Sequence, residues 1–346
     1  MKIENSKLKI IFVFPLFFIL YSLFLNKVNA QSLSLSIYPS LLEVMIKPGK
    51  SITQVYKLAN EGESDLVFRS RIVPFTLADE LGNIVIKETK NEINKAQDEN
   101  MFSAFLATQA TDWFSFQNAD LQLGQKFILP AGREQEVVLK IKIPENAPEG
   151  DYYATLLFET IPSVLLPSGS GGQIEAKIGS NILLTISQSG KPLKQAQIEQ
   201  FSLANFQFSI FNFQFIDSFT HPQFIVRLKN TGNAFFKPLG TITTNGWFNQ
   251  RWVLDLLPEN VLVDSVRQIP CQKSKEKSFI LPSPCQLEAK FLLGKYTARL
   301  EFGLDEESGE YQSQIVFWAI PLKLGVGILV TLILLLFIGS KITVKK

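Results

Sequence analysis

Two stretches with one shared pattern decide the fold: GDYYATLLF, which begins at Gly150, and GKYTARLEF, which begins at Gly294. Both read G-x-Y-x-A-x-L-x-F. Apolar and polar side chains alternate strictly from Tyr296 to Phe302, which predicts a strand with one buried face. The glycine permits a sharp turn before each strand. A tyrosine just after such a turn is typical of the tyrosine corner in immunoglobulin-like sandwiches.

A second motif repeats in the same order, because LANEG ends at Gly62 and LKNTG ends at Gly232. Internal repetition of this kind indicates two copies of one structural plan. Short alternating runs separated by Pro-Gly and Gly-containing turns indicate sandwiches. We therefore predict an all-β fold of two tandem immunoglobulin-like β-sandwiches, 31–189 and 190–316, with a helical insert near 91–112.

Two finer predictions follow from the alternation. The Gly150 strand should pair in a hairpin with residues 174–186. Apolar residues alternate from Phe206 to Ile210 and again from Phe211 to Phe215 in the opposite register. A switch of one residue reverses the buried face, so we predict a bulge or bend near Ile210.

The N-terminus has the three parts of a secretory signal. Lys2, Lys7 and Lys9 precede an apolar run over 10–25, and Val28-Asn29-Ala30 fits a signal peptidase site. We predict a signal peptide over 1–30 that is cleaved after Ala30. The alternative is an uncleaved anchor helix.

The C-terminus has a second apolar segment, which we predict to be a single-pass transmembrane helix over 317–340. Its uninterrupted part, LGVGILVTLILLLFIGS, begins at Leu324 and is just long enough to cross a hydrocarbon core of about 30 Å. Trp318 and Lys323 suit the outer interface. The basic tail, 341–346, should stay in the cytoplasm. The N-terminus and both sandwiches are therefore expected outside, at the surface of the cell.

The charge balance argues against nucleic acid as a partner. Residues 31–322 contain 26 basic and 31 acidic residues, a formal net charge of −5, whereas nucleic-acid-binding surfaces are basic. Cys271 and Cys285 are the two cysteines, and an extracellular setting favours a disulfide between them. A metal site is the weaker alternative, because two cysteines do not fill a tetrahedral shell.

The sequence offers little material for catalysis. His221 is the single histidine, and it would have to be the base of any Ser-His or Cys-His mechanism. The sequence has no G-x-S-x-G elbow, HExxH motif or P-loop. We therefore expect a protein that is not an enzyme, with no catalytic residue, cofactor or metal.

Aromatic residues near predicted turns are the candidates for binding a partner. Trp247, Phe248 and Trp252 follow an Asn-Gly turn, and exposed aromatic residues often anchor partners or sugars. The alternative is that they cap the core of the second sandwich. Tyr153 and Leu157 lie on the predicted outward face of the Gly150 strand, where they could contact the other domain or a partner.

The sequence is similar to the WxL-interacting protein family of bacterial surface proteins. The similarity rests on LPAGREQEVVLKIKIPENAPEGDYYATLLFE from Leu129, RLKNTGNAFFKPLGTI from Arg227 and the C-terminal apolar segment. The resemblance implies a first domain that binds peptidoglycan and a second that binds a surface protein. We therefore expect a membrane-anchored adhesion or interaction protein for cell-wall polymer or a surface protein. The alternative is an accessory subunit or assembly factor of a membrane complex, acting by strand or helix contacts.

Overall fold

Short strands with alternating burial account for most of the regular structure. The computed structural model describes residues 34–86, 110–161, 175–204, 208–210, 213–272, 284–304 and 311–343. The predicted signal peptide lies outside these residues. So does most of the predicted helical insert, of which only the end is described, in a 3-10 turn over Ala110–Trp113.

The first half of the chain forms two facing sheets. Its strands are β1 (Leu35–Tyr38), β2 (Leu41–Ile46), β3 (Ser51–Asn60), β4 (Leu66–Leu77), β5 (Ile84–Ile86), β6 (Phe114–Phe116), β7 (Lys126–Leu129), β8 (Arg133–Lys142), β9 (Gly150–Thr160) and β10 (Lys177–Ile186). One sheet has the order β1-β3-β8-β6, and the other has the order β2-β10-β9-β4-β5 with β7 also paired to β4. β9 and β10 pair antiparallel, as the hairpin prediction expects, and β2 joins β10 in parallel.

An apolar core fills the space between these two sheets. Tyr56, Leu139, Tyr152, Phe158 and Ile182 are each at most 1% exposed. They come from both sheets, and within each strand the core positions alternate, as the two-residue period of a strand requires. Burying one side chain of this size stabilises the fold by about 1.5–3 kcal/mol relative to exposure.

The second half repeats the plan with a separate core. Its strands are β11 (Ala196–Leu203), β12 (Phe208–Ile210), β13 (Phe213–Asp217), β14 (Gln223–Asn230), β15 (Pro238–Asn245), β16 (Arg251–Leu256), β17 (Val266–Gln268), β18 (Cys271–Gln272), β19 (Cys285–Gln286), β20 (Gly294–Leu304) and β21 (Tyr311–Ile320). One sheet has the order β11-β14-β17 with β19 on β14, and the other has the order β12-β13-β21-β20-β15-β16-β18. Cys271 and Cys285 form a disulfide that links β18 of one sheet to β19 of the other.

The repeated asparagine has the same role in both halves. Asn60 donates to the carbonyls of Ser64 (2.8 Å) and Leu129 (3.1 Å). Asn230 donates to the carbonyls of Ala234 and Val261, both at 2.9 Å. The side-chain oxygen of each asparagine also accepts the backbone N–H of the motif's glycine. The L-x-N-x-G motif therefore marks a buried amide that ties a turn to a distant segment of the same sandwich.

The repeated tyrosine closes a corner in each half. The hydroxyl of Tyr152 donates to the carbonyl of Pro148 at 2.8 Å, four residues upstream. The hydroxyl of Tyr296 accepts the backbone N–H of Leu293 at 3.0 Å and donates to Gln250 at 2.8 Å. Both residues are 1% exposed. The tyrosine corner that the sequence predicts thus occurs in both sandwiches.

Two sequence-based expectations differ from the structure. We predicted a bulge or bend near Ile210, and the structure rules out the bulge, because β12 and β13 are two antiparallel strands with Phe208 opposite Phe215. Alternation in two opposite registers fits a hairpin as well as it fits a bulge. The predicted transmembrane helix over 317–340 begins too early, because β21 extends to Ile320 and pairs with β20.

A C-terminal helix follows the last strand. Helix α1 (Leu322–Thr343) is apolar on all sides, and residues 323–336 are all exposed. Over the residues that the structure describes, we find no helix with both the length and the apolar character needed to cross a membrane.

Candidate interaction surfaces

The two sandwiches meet through an apolar contact, which we call the joint. Phe75, Tyr153 and Leu183 lie on the outer face of the sheet that contains β4, β9 and β10. They pack with Phe235 and Leu262 of the second sandwich. The rings of Phe75 and Tyr153 are 5.9 Å apart. Because both halves contribute buried side chains, the joint holds one sandwich against the other.

A buried carboxylate lies beside the joint. Asp151 is 4% exposed and accepts hydrogen bonds from the Thr185 hydroxyl (2.7 Å) and the Tyr153 hydroxyl (2.8 Å). It also accepts the backbone N–H of Phe235 at 2.5 Å. Burial raises the pKa of Asp151, against the opposing effect of these donors. The carboxylate therefore ties a backbone segment of the second sandwich to the first.

Tyr153 and Leu157 have different surroundings. The Tyr153 hydroxyl also accepts the backbone N–H of Val263 at 3.1 Å, and burial raises the pKa of Tyr153 well above its ordinary value. Tyr153 thus lies at a contact between domains, one of the two roles that the sequence left open. Leu157 is only 2% exposed, so it offers no surface to a partner. The alternation of apolar and polar residues predicts which side chains share a face of a strand, but it does not predict whether another part of the protein covers that face.

Ion pairs surround the apolar part of the joint. Glu43 accepts Lys237 Nζ and Asn260 Nδ2, each at 2.6 Å, and Glu80 pairs with Arg227. The charged side chains of these pairs are 28–42% exposed. At such exposure water screens an ion pair, and its contribution to stability is small. The buried cluster and Asp151 therefore carry most of the stability of the joint.

Arg267 is the most enclosed cation beside the joint. It donates to the Glu259 carboxylate at 2.7 Å, and burial lowers its pKa. Its guanidinium lies against Gly82 of the first sandwich, where a Cβ atom would collide with it. The backbone N–H of Gln268 donates to the carbonyl of Glu80 at 2.7 Å. These contacts extend the joint along the β4–β5 turn.

The start of helix α1 is fixed to the second sandwich. Asp217 Oδ2 accepts the backbone N–H of Lys323 at 3.0 Å, and Oδ1 accepts that of Phe219 at 3.1 Å. The hydrogen bond from the Lys323 N–H lowers the pKa of Asp217. The Ser218 N–H also donates to the carbonyl of Ile320 at 2.9 Å. Free N–H groups at a helix start need such partners, so Asp217 sets where the helix leaves the sandwich.

The aromatic candidates lie at this same end of the second sandwich. Trp247 is 49% exposed, 6.2 Å from Trp318. Trp252 is half-buried and packs on Tyr296 at 6.2 Å between ring centroids, which fits the core-capping alternative. The side chain of Phe248 lies outside the described part of the structure. Trp247 is therefore the one candidate in this group whose described side chain is accessible.

Sequence reasoning did not single out Asp151 or the exposed Phe219, Phe291 and Leu293. Asp151 shares the outward register of Tyr153 in the Gly150 strand, so alternation could have drawn attention to it.

In the described ranges no group of three or more His, Cys, Asp or Glu side chains is arranged to hold a metal ion.

Comparison with known proteins finds only distant similarity in structure. Neither the protein-family models nor the curated proteins include a match to this sequence. Among solved structures, the class 5 fimbriae chaperone CfaA is 11% identical, with 83% of this chain and 100% of that chain covered and a TM-score of 0.35. The Escherichia coli chaperone DraB is 11% identical, with 83% and 98% covered and a TM-score of 0.33. The Pseudomonas aeruginosa chaperone CupB2 is 8% identical, with 81% and 98% covered and a TM-score of 0.31. The chain is a mostly β protein with immunoglobulin-like sandwiches that are distantly similar in structure to PapD-like chaperone domains.

Proposed function

We propose that this protein is a membrane-attached interaction protein that holds two joined sandwiches outside the cell to bind cell-wall polymer or another surface protein. The role is binding rather than catalysis.

Helix α1 is the observation that carries the proposal. Its apolar side chains are exposed on every side, from Leu324 (51%) through Leu329 (59%) to Leu336 (73%). A helix that is hydrophobic all round is stable only when an apolar medium surrounds it. The sandwiches do not supply that medium, because residues 323–336 are exposed throughout. Membrane lipid is the medium that fits.

The joint supports the proposal that the two sandwiches are held together outside the cell. Asp151 and the apolar cluster hold the first sandwich against the second, and Asp217 holds the second against the start of the helix. A partner bound to the first sandwich would therefore be held at a defined distance from the membrane. Such a linkage suits a tether between the membrane and a surface structure.

The class of ligand comes from the sequence resemblance. The WxL-interacting protein family, which the chain resembles over both sandwiches and the C-terminal apolar segment, implies peptidoglycan or a surface protein as the ligand. The formal charge of −5 over residues 31–322 fits these ligands better than nucleic acid.

A tethering assay tests the proposal. Vesicles that carry the full chain and a fluorescent lipid are mixed with insoluble peptidoglycan, and the sedimented fluorescence is measured. Beads coated with surface-protein extract serve as the second bait, and protein-free vesicles are the control. Lipid that sediments with either bait only when the chain is present supports tethering. No sedimentation with either bait would refute the proposed function.

A second candidate, an accessory subunit of a membrane complex, has its own supporting observation. Gly325 and Gly327 lie in the first turns of helix α1, and a Cβ atom at either position would meet nothing within 4 Å. Small residues allow close approach of another helix in a membrane. Replacing both glycines with leucine should abolish co-purification with such a partner, whereas tethering to peptidoglycan should continue.

A further inference from the structure

Three loops meet at the end of the second sandwich from which helix α1 leaves. The turn after β13 contains Phe219, the loop after β15 contains Trp247, and the loop before β20 contains Phe291 and Leu293. Sheet register places all three loops at one end, because Asp217 lies opposite Ile320 on β21. The other pairings agree, since Gly294 lies opposite Ala319 on β21 and Asn245 opposite Thr297 on β20.

The apolar side chains of these loops form one exposed surface, which we call the basal surface: Phe219, Trp247, Phe291 and Leu293. They are 50%, 49%, 44% and 40% exposed, respectively. The rings of Phe219 and Phe291 are 5.3 Å apart, so two of the loops touch through exposed aromatic groups. The Trp247 ring covers Gly294, directly after Leu293, and so continues the surface to the third loop.

Basic side chains border the basal surface. Lys290 and Lys295 are exposed on either side of Phe291 and Leu293, and Lys323 is exposed at the helix start. Tryptophan, which has an apolar body and a polar N–H group, concentrates at the level of lipid headgroups, and Trp247 is the residue of this type in the basal surface. Lysine side chains beside them attract anionic lipid. The combination fits the interfacial layer of a bilayer.

The position at which helix α1 begins indicates what would cover this surface. Asp217 binds both the Phe219 N–H of the basal surface and the Lys323 N–H of the helix. If the apolar helix enters a membrane, the basal surface is carried to the headgroup layer with it. We propose that the basal surface docks on anionic phospholipid and holds the second sandwich against the bilayer, an inference that rests on the membrane attachment proposed above.

The docking can be measured by the fluorescence of Trp247. The full chain is reconstituted in vesicles of phosphatidylcholine and phosphatidylglycerol, with and without acyl chains brominated near the headgroup. The difference in quenching between the wild type and Trp247→Phe isolates the signal of Trp247. We expect strong quenching of Trp247 by the brominated lipid. The double variant Phe291→Ser, Leu293→Ser removes apolar area from the lipid contact, so it should weaken the docking equilibrium about tenfold and reduce that quenching.

Ile128→Ser is the matched control. Ile128 is an exposed apolar residue of the first sandwich (63% exposed), and its replacement should leave the quenching of Trp247 unchanged.

Flotation of the same vesicles distinguishes failure of the membrane attachment from failure of the docking. Protein that floats with the lipid while Trp247 is not quenched would overturn the docking of the basal surface alone. Protein that does not float would overturn both the attachment and the docking.

Discussion

Replacing Asp151 with alanine tests whether the joint is a structural unit. In the structure this carboxylate accepts two hydroxyl groups of the first sandwich and the backbone N–H of Phe235 from the second. Asp151→Ala leaves that N–H without an acceptor in a part-buried position. The hydroxyl groups can turn toward other acceptors, but the backbone N–H cannot.

The magnitude follows from the cost of an unsatisfied buried group. Leaving one such donor unpaired costs about 1–3 kcal/mol. The substitution also removes the hydrogen bonds from the two hydroxyl groups, but it no longer buries a negative charge, and these two effects partly cancel. We therefore expect the joint to open more easily by about 2 kcal/mol, which is roughly a 30-fold change in the opening equilibrium. Asp151→Asn should cost less, because the amide oxygen can still accept the Phe235 N–H.

Amide hydrogen exchange is the measurement, because it reports local opening. In the full chain reconstituted in vesicles, Asp151→Ala should speed the exchange of the Phe235 and Val263 amides roughly 30-fold. The control is Glu134→Gln, an exposed position on β8 in the sheet far from the joint, which should change neither rate. If Asp151→Ala leaves the exchange of both amides at the wild-type rate, the carboxylate does not hold the joint.

Asp151 should also make the stability of the folded chain depend on pH. Burial raises the pKa of Asp151 above its ordinary value of 3.8, so the folded chain binds this proton more tightly than the unfolded chain does. The part of the stability that comes from this tighter proton binding is therefore fully present below pH 3.8 and is lost as the pH rises through the raised pKa. The hydrogen bond that the carboxylate accepts from the Phe235 N–H is a separate contribution. The stability of the wild type relative to Asp151→Asn should increase on acidification from neutral pH. An unchanged difference between the two denaturation curves at neutral and acidic pH would contradict the assignment.

Three further perturbations test other parts of the fold. Asn60→Ala and Asn230→Ala should each lower the unfolding free energy of their own sandwich by about 2–4 kcal/mol in chemical denaturation, because each leaves buried carbonyls unpaired. A single one of these substitutions that destabilised both sandwiches equally would show that the two do not fold separately. Asp217→Ala should lower the protection of the first-turn amides of helix α1 by about 1 kcal/mol, and unchanged exchange of those amides would show that Asp217 does not stabilise the start of the helix. Replacing Cys271 and Cys285 with serine should cost about 3 kcal/mol in the same denaturation assay, and a midpoint equal to that of the wild type would rule out a stabilising disulfide.

The repeated motifs made the sandwich architecture predictable from sequence. The spacing of Gly150, Tyr152 and Phe158 gives strand, turn and buried face together, and the same spacing from Gly294 shows that the plan occurs twice. These features depend on neighbouring residues, so local pattern is enough to find them. The strand pairing near Ile210 was not predictable in this way, because a bulge and a hairpin produce the same alternation.

The joint could not be predicted because it depends on contacts distant in sequence. Alternation correctly places Tyr153 and Leu157 on the outer face of β9. Only the structure brings Leu262 and the Phe235 backbone against that face. The basal surface is similar, since Phe219 and Phe291 become neighbours only after β13, β20 and β21 have formed one sheet. The alternation of residues predicts the two faces of each strand, whereas tertiary packing decides which of those faces are covered.

Flotation of the full chain with vesicles of phosphatidylcholine alone, which offer the basal surface no anionic lipid, tests the central claim most directly. The wild type is compared with Leu329→Lys, Ile333→Lys, a double variant on one side of helix α1 at positions that are 59% and 56% exposed. These substitutions leave both sandwiches untouched, so folding can be checked independently by the denaturation of their cores. We predict that the wild type floats with the vesicles and that the folded double variant stays at the bottom of the gradient. A wild type that stays at the bottom, or a double variant that floats equally well, would contradict attachment through helix α1.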